Sequence, residues 1–233
     1  VLATLALAGL AQTANAEVLS KTKKIKGATV EYRVILPNGY DASKAYPGVL
    51  AFGGGGQDLR IVERTVERTW KKYAESLGYI VVIPAAPNGD LFFEGGERIF
   101  PEFIDQFLSE YKILNNKLHI AGQSNGGISA FHVAALYPKY FLSITGLPGY
   151  LPNDNATRLK NISKMCIDMY VGELDSGWRE DMKAQSDKFA GMGMKVHFSV
   201  EKGQEHLINT LAGDGAKRIF DRLEEARKTC GGN

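Results

Sequence analysis

Cysteine is nearly missing from this chain, at Cys166 and Cys230 only, and histidine occurs four times, at His119, His132, His197 and His206. No cluster of the two has metal-ligand spacing, so no metal and no organic cofactor is expected. An excess of one charge is also lacking. The 28 basic and 26 acidic residues leave a formal charge of +2 and are spread along the chain, the one basic run being residues 21–26, so nucleic acid is not an expected partner. Internal repeats and low-complexity linkers are absent. The 233 residues, 44% apolar and 23% charged, suit one sizeable core.

No segment is long and apolar enough to span a bilayer. Residues 1–10 are apolar and uncharged, and Ala14-Asn15-Ala16 follows just before Glu17, the small-x-small pattern after which signal peptidase cuts. Residues 1–16 therefore read as a signal peptide and 17–233 as a single domain, secreted or periplasmic and free of the membrane after cleavage. In an exported protein Cys166 and Cys230 read as a disulfide tying the C-terminal tail to a strand near Cys166, with two free thiols as the alternative.

What is present is an alternation of strand and helix. Residues 18–26 and 29–36 alternate weakly around Gly27 and predict a hairpin of edge strands. Residues 46–52 form a continuous apolar run into Gly53-Gly54-Gly55-Gly56, and residues 61–77 carry a helical period stopped by Gly78. Further strands are expected at 79–83, 117–121, 141–145, 166–171 and 195–200, and helices at 101–111, 128–137, 179–190 and 214–228, the last capped by Asp214. Residues 147–164 read as a loop or small cap. The pattern predicts a mostly parallel sheet with antiparallel N-terminal strands and helices on both faces. Ligands of such sheets sit at the carboxyl ends of the strands.

One stretch organises the rest. Gly122-Gln123-Ser124-Asn125-Gly126-Gly127 lies between an apolar strand and a helix, and a strand turning sharply into a helix at G-x-S-x-G lifts the serine hydroxyl above the sheet edge. Serine at its free pKa is a poor nucleophile and needs a base, an acid to orient it and an oxyanion site. His206 is the histidine placed in a loop at the correct edge; His119, His132 and His197 lie within a strand, a helix and a strand. The acid belongs after the preceding strand, in Val171-Gly172-Glu173-Leu174-Asp175, with Asp175 preferred and Glu173 as the fallback. Asn125 is expected to offer its backbone N–H to the oxyanion, and the second donor comes from Gly54 or Gly55. The glycine run lacks the lysine and hydroxyl residue of a P-loop and the spacing of a dinucleotide site.

These motifs resemble the α/β-hydrolase superfamily, and more narrowly the exported esterases grouped with poly(3-hydroxybutyrate) depolymerases and feruloyl esterases. The resemblance implies the α/β-hydrolase fold and a secreted serine carboxylic-ester hydrolase acting through Ser124, His206 and Asp175 by an acyl-enzyme, on a small or polymeric ester, as a monomer. One departure stands out. That group commonly carries a histidine before the oxyanion glycines, where this chain has Phe52; backbone donation itself needs no histidine. Trp178, Gln123, Phe92 and Phe93 are candidate substrate contacts, and the short 147–164 segment suggests an open cleft. Two alternatives remain: a serine peptidase resembling the catalytic domain of prolyl oligopeptidases, and a non-catalytic binding protein on the same fold.

Overall fold

A computed structural model describes residues 17–231, so the signal peptide expected at residues 1–16 lies outside the described residues. The strands are β1 (Val18–Ile25), β2 (Ala28–Ile35), β3 (Tyr46–Phe52), β4 (Ile80–Pro84), β5 (Ile113–Gly122), β6 (Phe141–Gly146), β7 (Cys166–Gly172) and β8 (Val196–Glu201). They form one eight-stranded sheet in the order β1-β2-β4-β3-β5-β6-β7-β8. β2 runs antiparallel to β1 and β4, and every pair from β4 to β8 is parallel. Lys26 and Gly27 both take positive φ, the two-residue turn that matches the twist of a hairpin. The hairpin is as expected, but β2 is an inner strand paired on both sides, so that only one of its two strands, β1, is an edge.

The inner strands β4, β6 and β7 are buried along their whole length because both faces of the sheet are covered, β4 as a continuous Ile and Val run and β6 and β7 with Ser143, Thr145 and Asp168 buried among apolar residues. On one face, α3 (Phe100–Glu110), α4 (Asn125–Leu136), α5 (Ala156–Ile162) and α6 (Ser176–Gly191) close a core through Phe103, Phe107, Phe131, Ile162, Met182 and Phe189. On the other, α1 (Leu59–Thr65), α2 (Lys71–Leu77) and α7 (Lys217–Cys230) bury Val62, Trp70, Ala74, Phe220 and Leu223. Alternate residues of β3 feed the two cores, Leu50 and Phe52 one and Val49 and Ala51 the other. No helix among the described residues is long and apolar enough to cross a membrane.

Three local expectations need correction. The helix expected at 61–77 is interrupted by a π-helical turn, Val66–Trp70. Val62, Val66, Trp70 and Ala74 recur every fourth residue, slightly longer than the α-helical turn, and one wider turn keeps all four facing the sheet. The 147–164 segment contains α5, which buries only Leu159 and Ile162, too little for a readable period. Asp214 does not cap the last helix. A short 3₁₀ turn, Gly213–Ala216, precedes α7, and the Asp214 carboxylate pairs with Lys72 instead.

The two borders of the sheet differ. β1 carries Lys21, Lys23 and Lys24, charges that discourage pairing with another strand. β8 is the opposite border and pairs only with β7. Cys166, opening β7, is disulfide-bonded to Cys230 at the end of α7, 64 residues later, with Cα atoms 5.9 Å apart.

Candidate active site

The carboxyl ends of β3, β5, β7 and β8 gather the residues of interest. Between β5 and α4, Ser124 holds φ 56° and ψ −123°, a conformation that costs a side-chain-bearing residue about 1–3 kcal/mol. The turn exists because its flanks have no side chains: a Cβ on Gly122 would lie 2.0 Å from the Gly126 carbonyl oxygen, and one on Gly126 would lie 2.4 Å from that of Gly53. Gly127 faces the loop after β6 rather than β5, since its Cβ would meet the Pro148 carbonyl oxygen at 2.1 Å. That same carbonyl accepts the Ser124 N–H at 2.8 Å.

His206 stands in the loop after β8. Its Nε2 lies 2.8 Å from Ser124 Oγ and its Nδ1 lies 2.6 Å from Asp175 Oδ2. The carboxylate selects the tautomer protonated on Nδ1, which leaves Nε2 as acceptor for the serine hydroxyl. Asp175 occupies the N-cap position of α6, yet its side chain caps no amide because it is committed to His206.

Glu173, the fallback acid, is engaged elsewhere: its Oε2 accepts the Gly203 N–H at 2.8 Å. The Glu173 N–H donates to the Glu201 carbonyl at 3.0 Å and the Leu174 N–H to that of Gln204 at 2.9 Å, so the loops leading to Asp175 and His206 are laced together. Glu201, at the end of β8 and 5% exposed, receives both Arg218 Nη groups, each at 2.8 Å, and the Thr210 hydroxyl at 2.8 Å. These contacts close the base of the loop bearing His206. The Arg218 guanidinium holds the Glu201 carboxyl below its ordinary range, outweighing burial.

The remaining histidines are occupied otherwise. His119 is buried in β5 with Nδ1 2.7 Å from Ser143 Oγ, and burial pushes its pKa down to about 3, so its ring is neutral. His132, on α4, faces Arg158 Nη1 at 3.1 Å and is lowered by burial and by that guanidinium. His197 lies on the border strand with Nδ1 3.3 Å from Asp168 Oδ1.

Asn125 opens α4 immediately after the serine, and the first amides of a helix have no intrahelical acceptor. Its side-chain Nδ2 donates to the Gly55 carbonyl at 2.9 Å, joining the elbow to the glycine loop. Gly54 is the glycine beside Ser124, since a Cβ there would lie 3.4 Å from Ser124 Cβ. Gly55 stands further out, against Ile61.

Of the candidate substrate contacts, Trp178 is at the site. Its ring meets the His206 imidazole edge-on with centroids 5.0 Å apart, and Tyr150 also packs on it, with centroids 5.1 Å apart. Tyr150 was not foreseen; its position two residues past Pro148, at the carboxyl edge of β6, is the signal that pointed to it. The Gln185 side chain pins this loop by accepting the Leu151 N–H at 2.7 Å and donating to its carbonyl at 3.0 Å. Phe92 is a correction: it is 0% exposed, packed on Phe52 and Phe100 with centroids 5.2 and 4.9 Å away, and cannot touch a substrate. Gln123 lines a cavity of about 20 Å³ with Arg68, Leu147 and Ile208, room for one water rather than an acyl group.

No protein-family model matches the chain, and no curated protein matches it by sequence. Solved structures do match. A thermostable esterase superposes with a TM-score of 0.73 at 18% identity over 89% of this chain, which spans 62% of that protein's length, less than two thirds. A feruloyl esterase module from Clostridium thermocellum, solved in complex with sinapinate, gives 0.70 at 16% identity, covering 91% of this chain and 89% of that one. A dienelactone hydrolase from Anabaena variabilis gives 0.65 at 13% identity, over 92% and 98%. Likeness at these identities is likeness of fold, and the fold is that of the α/β-hydrolases.

Proposed function

We propose that this chain is a serine hydrolase that cleaves carboxylic esters through a covalent acyl-enzyme. One observation carries the reading: the His206 ring spans Ser124 Oγ at 2.8 Å and Asp175 Oδ2 at 2.6 Å. Ser124 Oγ attacks the ester carbonyl as its proton passes to His206 Nε2. The Asn125 and Gly54 amides receive the negative oxygen, and Asp175 stabilises the imidazolium. Collapse returns the proton to the leaving alkoxide, and an alcohol departs. Water then attacks the acyl-serine, giving its proton to His206, and collapse frees the acid and restores the Ser124 hydroxyl.

The substrate follows from the walls. Trp178 and Tyr150 form an aromatic flank beside His206 that suits a planar acyl group, and Leu174 and Leu207, 62% and 46% exposed, make the rim beside the acid and base apolar. Esters of aromatic acids and insoluble polyesters are the substrate classes proposed, cleaved by a monomer. The leader-like residues 1–16 and the Cys166–Cys230 disulfide support action outside the cytoplasm.

Hydrolysis of aryl acetate, butyrate, octanoate and ferulate by the mature protein and by Ser124→Ala tests the reading. Activity is expected to fall at least about 10³-fold in the variant. Equal rates in both proteins would remove it, and a matched amide cleaved faster than its ester would replace the esterase by a peptidase.

A further inference from the structure

Asn125 Nδ2 ties the loop that offers the second oxyanion amide at the Gly55 carbonyl, one peptide beyond the amide of Gly54 and its neighbour. Four glycines in a row, Gly53 to Gly56, have no side chains to fix them, and before them the Phe52 carbonyl accepts the Gln123 N–H at 3.3 Å while its ring packs on Phe92 and Phe100. An oxyanion donor is effective only if its direction is set before charge develops. Something else must hold these peptides.

Gln57 is the polar side chain buried under this loop, 0% exposed, at φ 54°. Its backbone N–H donates to the Gly54 carbonyl at 3.1 Å, and its carbonyl accepts the Ala86 N–H at 2.8 Å. Its side-chain Nε2 donates to the Gly53 carbonyl at 3.4 Å and to Ser129 Oγ at 2.9 Å, while Oε1 accepts the Phe92 N–H at 3.0 Å. Ser129 passes the chain on, donating to the Asn125 carbonyl at 2.8 Å. A buried amide left unpaired costs about 1–3 kcal/mol; here each polar group has a partner.

The direction of these bonds matters more than their number. In a planar trans peptide the C=O and the following N–H point opposite ways. Gln57 draws the carbonyls of both Gly53 and Gly54 toward itself, so the N–H groups of Gly54 and Gly55 point away from it. The same side chain reaches, through Ser129, the residue that supplies the other amide.

We infer that Gln57 is the positioning residue of the oxyanion site, orienting the Gly54 amide directly and steadying Asn125 through Ser129. This rests on the ester-hydrolase reading of Ser124. It makes a residue remote from the substrate control kcat rather than KM, because its effect is felt only when the carbonyl oxygen becomes negative.

The test measures kcat and KM for p-nitrophenyl butyrate in the wild type, Ser124→Ala, Gln57→Met and Ser129→Ala, with folding checked by circular dichroism. Met keeps the length of Gln57 and removes its hydrogen bonds. Gln57→Met is expected to lose about 10- to 100-fold in kcat, with KM within about twofold. Ser129→Ala, cutting the same chain at its helix end, is expected to lose about three- to tenfold. Folded variants with lowered melting temperature and wild-type kcat would overturn the proposal and leave the hydrolase standing; if Gln57→Met fails to fold, Ser129→Ala decides alone. Undiminished activity in Ser124→Ala would overturn the hydrolase reading and this inference with it.

Discussion

The Glu173 carboxylate accepts the Gly203 N–H at 2.8 Å, so the segment that carries Asp175 also holds the segment that carries His206. Glu173 and Asp175 lie two residues apart and divide the work: one binds the backbone of the loop leading to His206, the other binds the His206 imidazole.

That division separates the two carboxylates by experiment. Asp175→Asn, which loses the charge and the tautomer control, is expected to lower kcat by about 10³- to 10⁴-fold for ester hydrolysis. Glu173→Gln keeps an acceptor for Gly203 and is expected to cost no more than about threefold. Steady-state kinetics of both variants against one aryl ester decides it, and a larger loss at Glu173 would exchange their roles.

Acid pH should act on the clamp beneath the base loop. Arg218 holds the folded-state pKa of Glu201 below its unfolded value, so this pair contributes stability above the ordinary carboxylate range, and the contribution is lost as pH falls through the folded value. The wild type is therefore expected to lose more melting temperature between about pH 6 and about pH 3 than Glu201→Gln does, although the variant is less stable at neutrality by about 2 kcal/mol. Parallel melting curves at the two pH values check both statements.

The disulfide closes 64 residues, for which the loss of chain entropy in the unfolded state is worth about 4 kcal/mol. Reduction, or Cys230→Ser with Cys166→Ser, is expected to lower the melting temperature by about 10 °C. Because Cys166 opens β7 at the end of the sheet opposite Ser124, kcat at moderate temperature should be unchanged. Calorimetry with and without reductant, paired with a rate measurement, tests the two halves separately.

Removing the aromatic flank should read out in substrate choice. Trp178→Ala is expected to raise KM for an aryl ferulate by about tenfold while changing KM for the acetate by less than about twofold. Equal effects on both esters would mean that the indole supports His206 without touching the acyl group.

Legibility in the sequence followed the range over which each feature is encoded. The elbow is local, since Gly122, Ser124 and Gly126 are required by contacts across a single turn, and it could be read directly. Asp175 and His206 were legible because parallel strands place the ends of β7 and β8 at one edge. Phe92 was misjudged because a phenylalanine in an irregular segment looks exposed until Phe52 and Phe100 close around it. Gln57 was invisible for a related reason: a glutamine after four glycines looks like a solvated turn, and its partners Ser129 and Phe92 lie 72 and 35 residues away. The π-helical turn was hidden because a four-residue apolar spacing also fits an ordinary helix.

The border strand has a temporal consequence. Ser124 is carried by β5, braced by strands on both sides, whereas His206 hangs from β8, which has a neighbour on one side only. Frayed margins open before interiors. Warming should therefore part the proton donor from its acceptor while the sheet still stands, so that the molecule falls silent some degrees before it melts and recovers its rate on cooling.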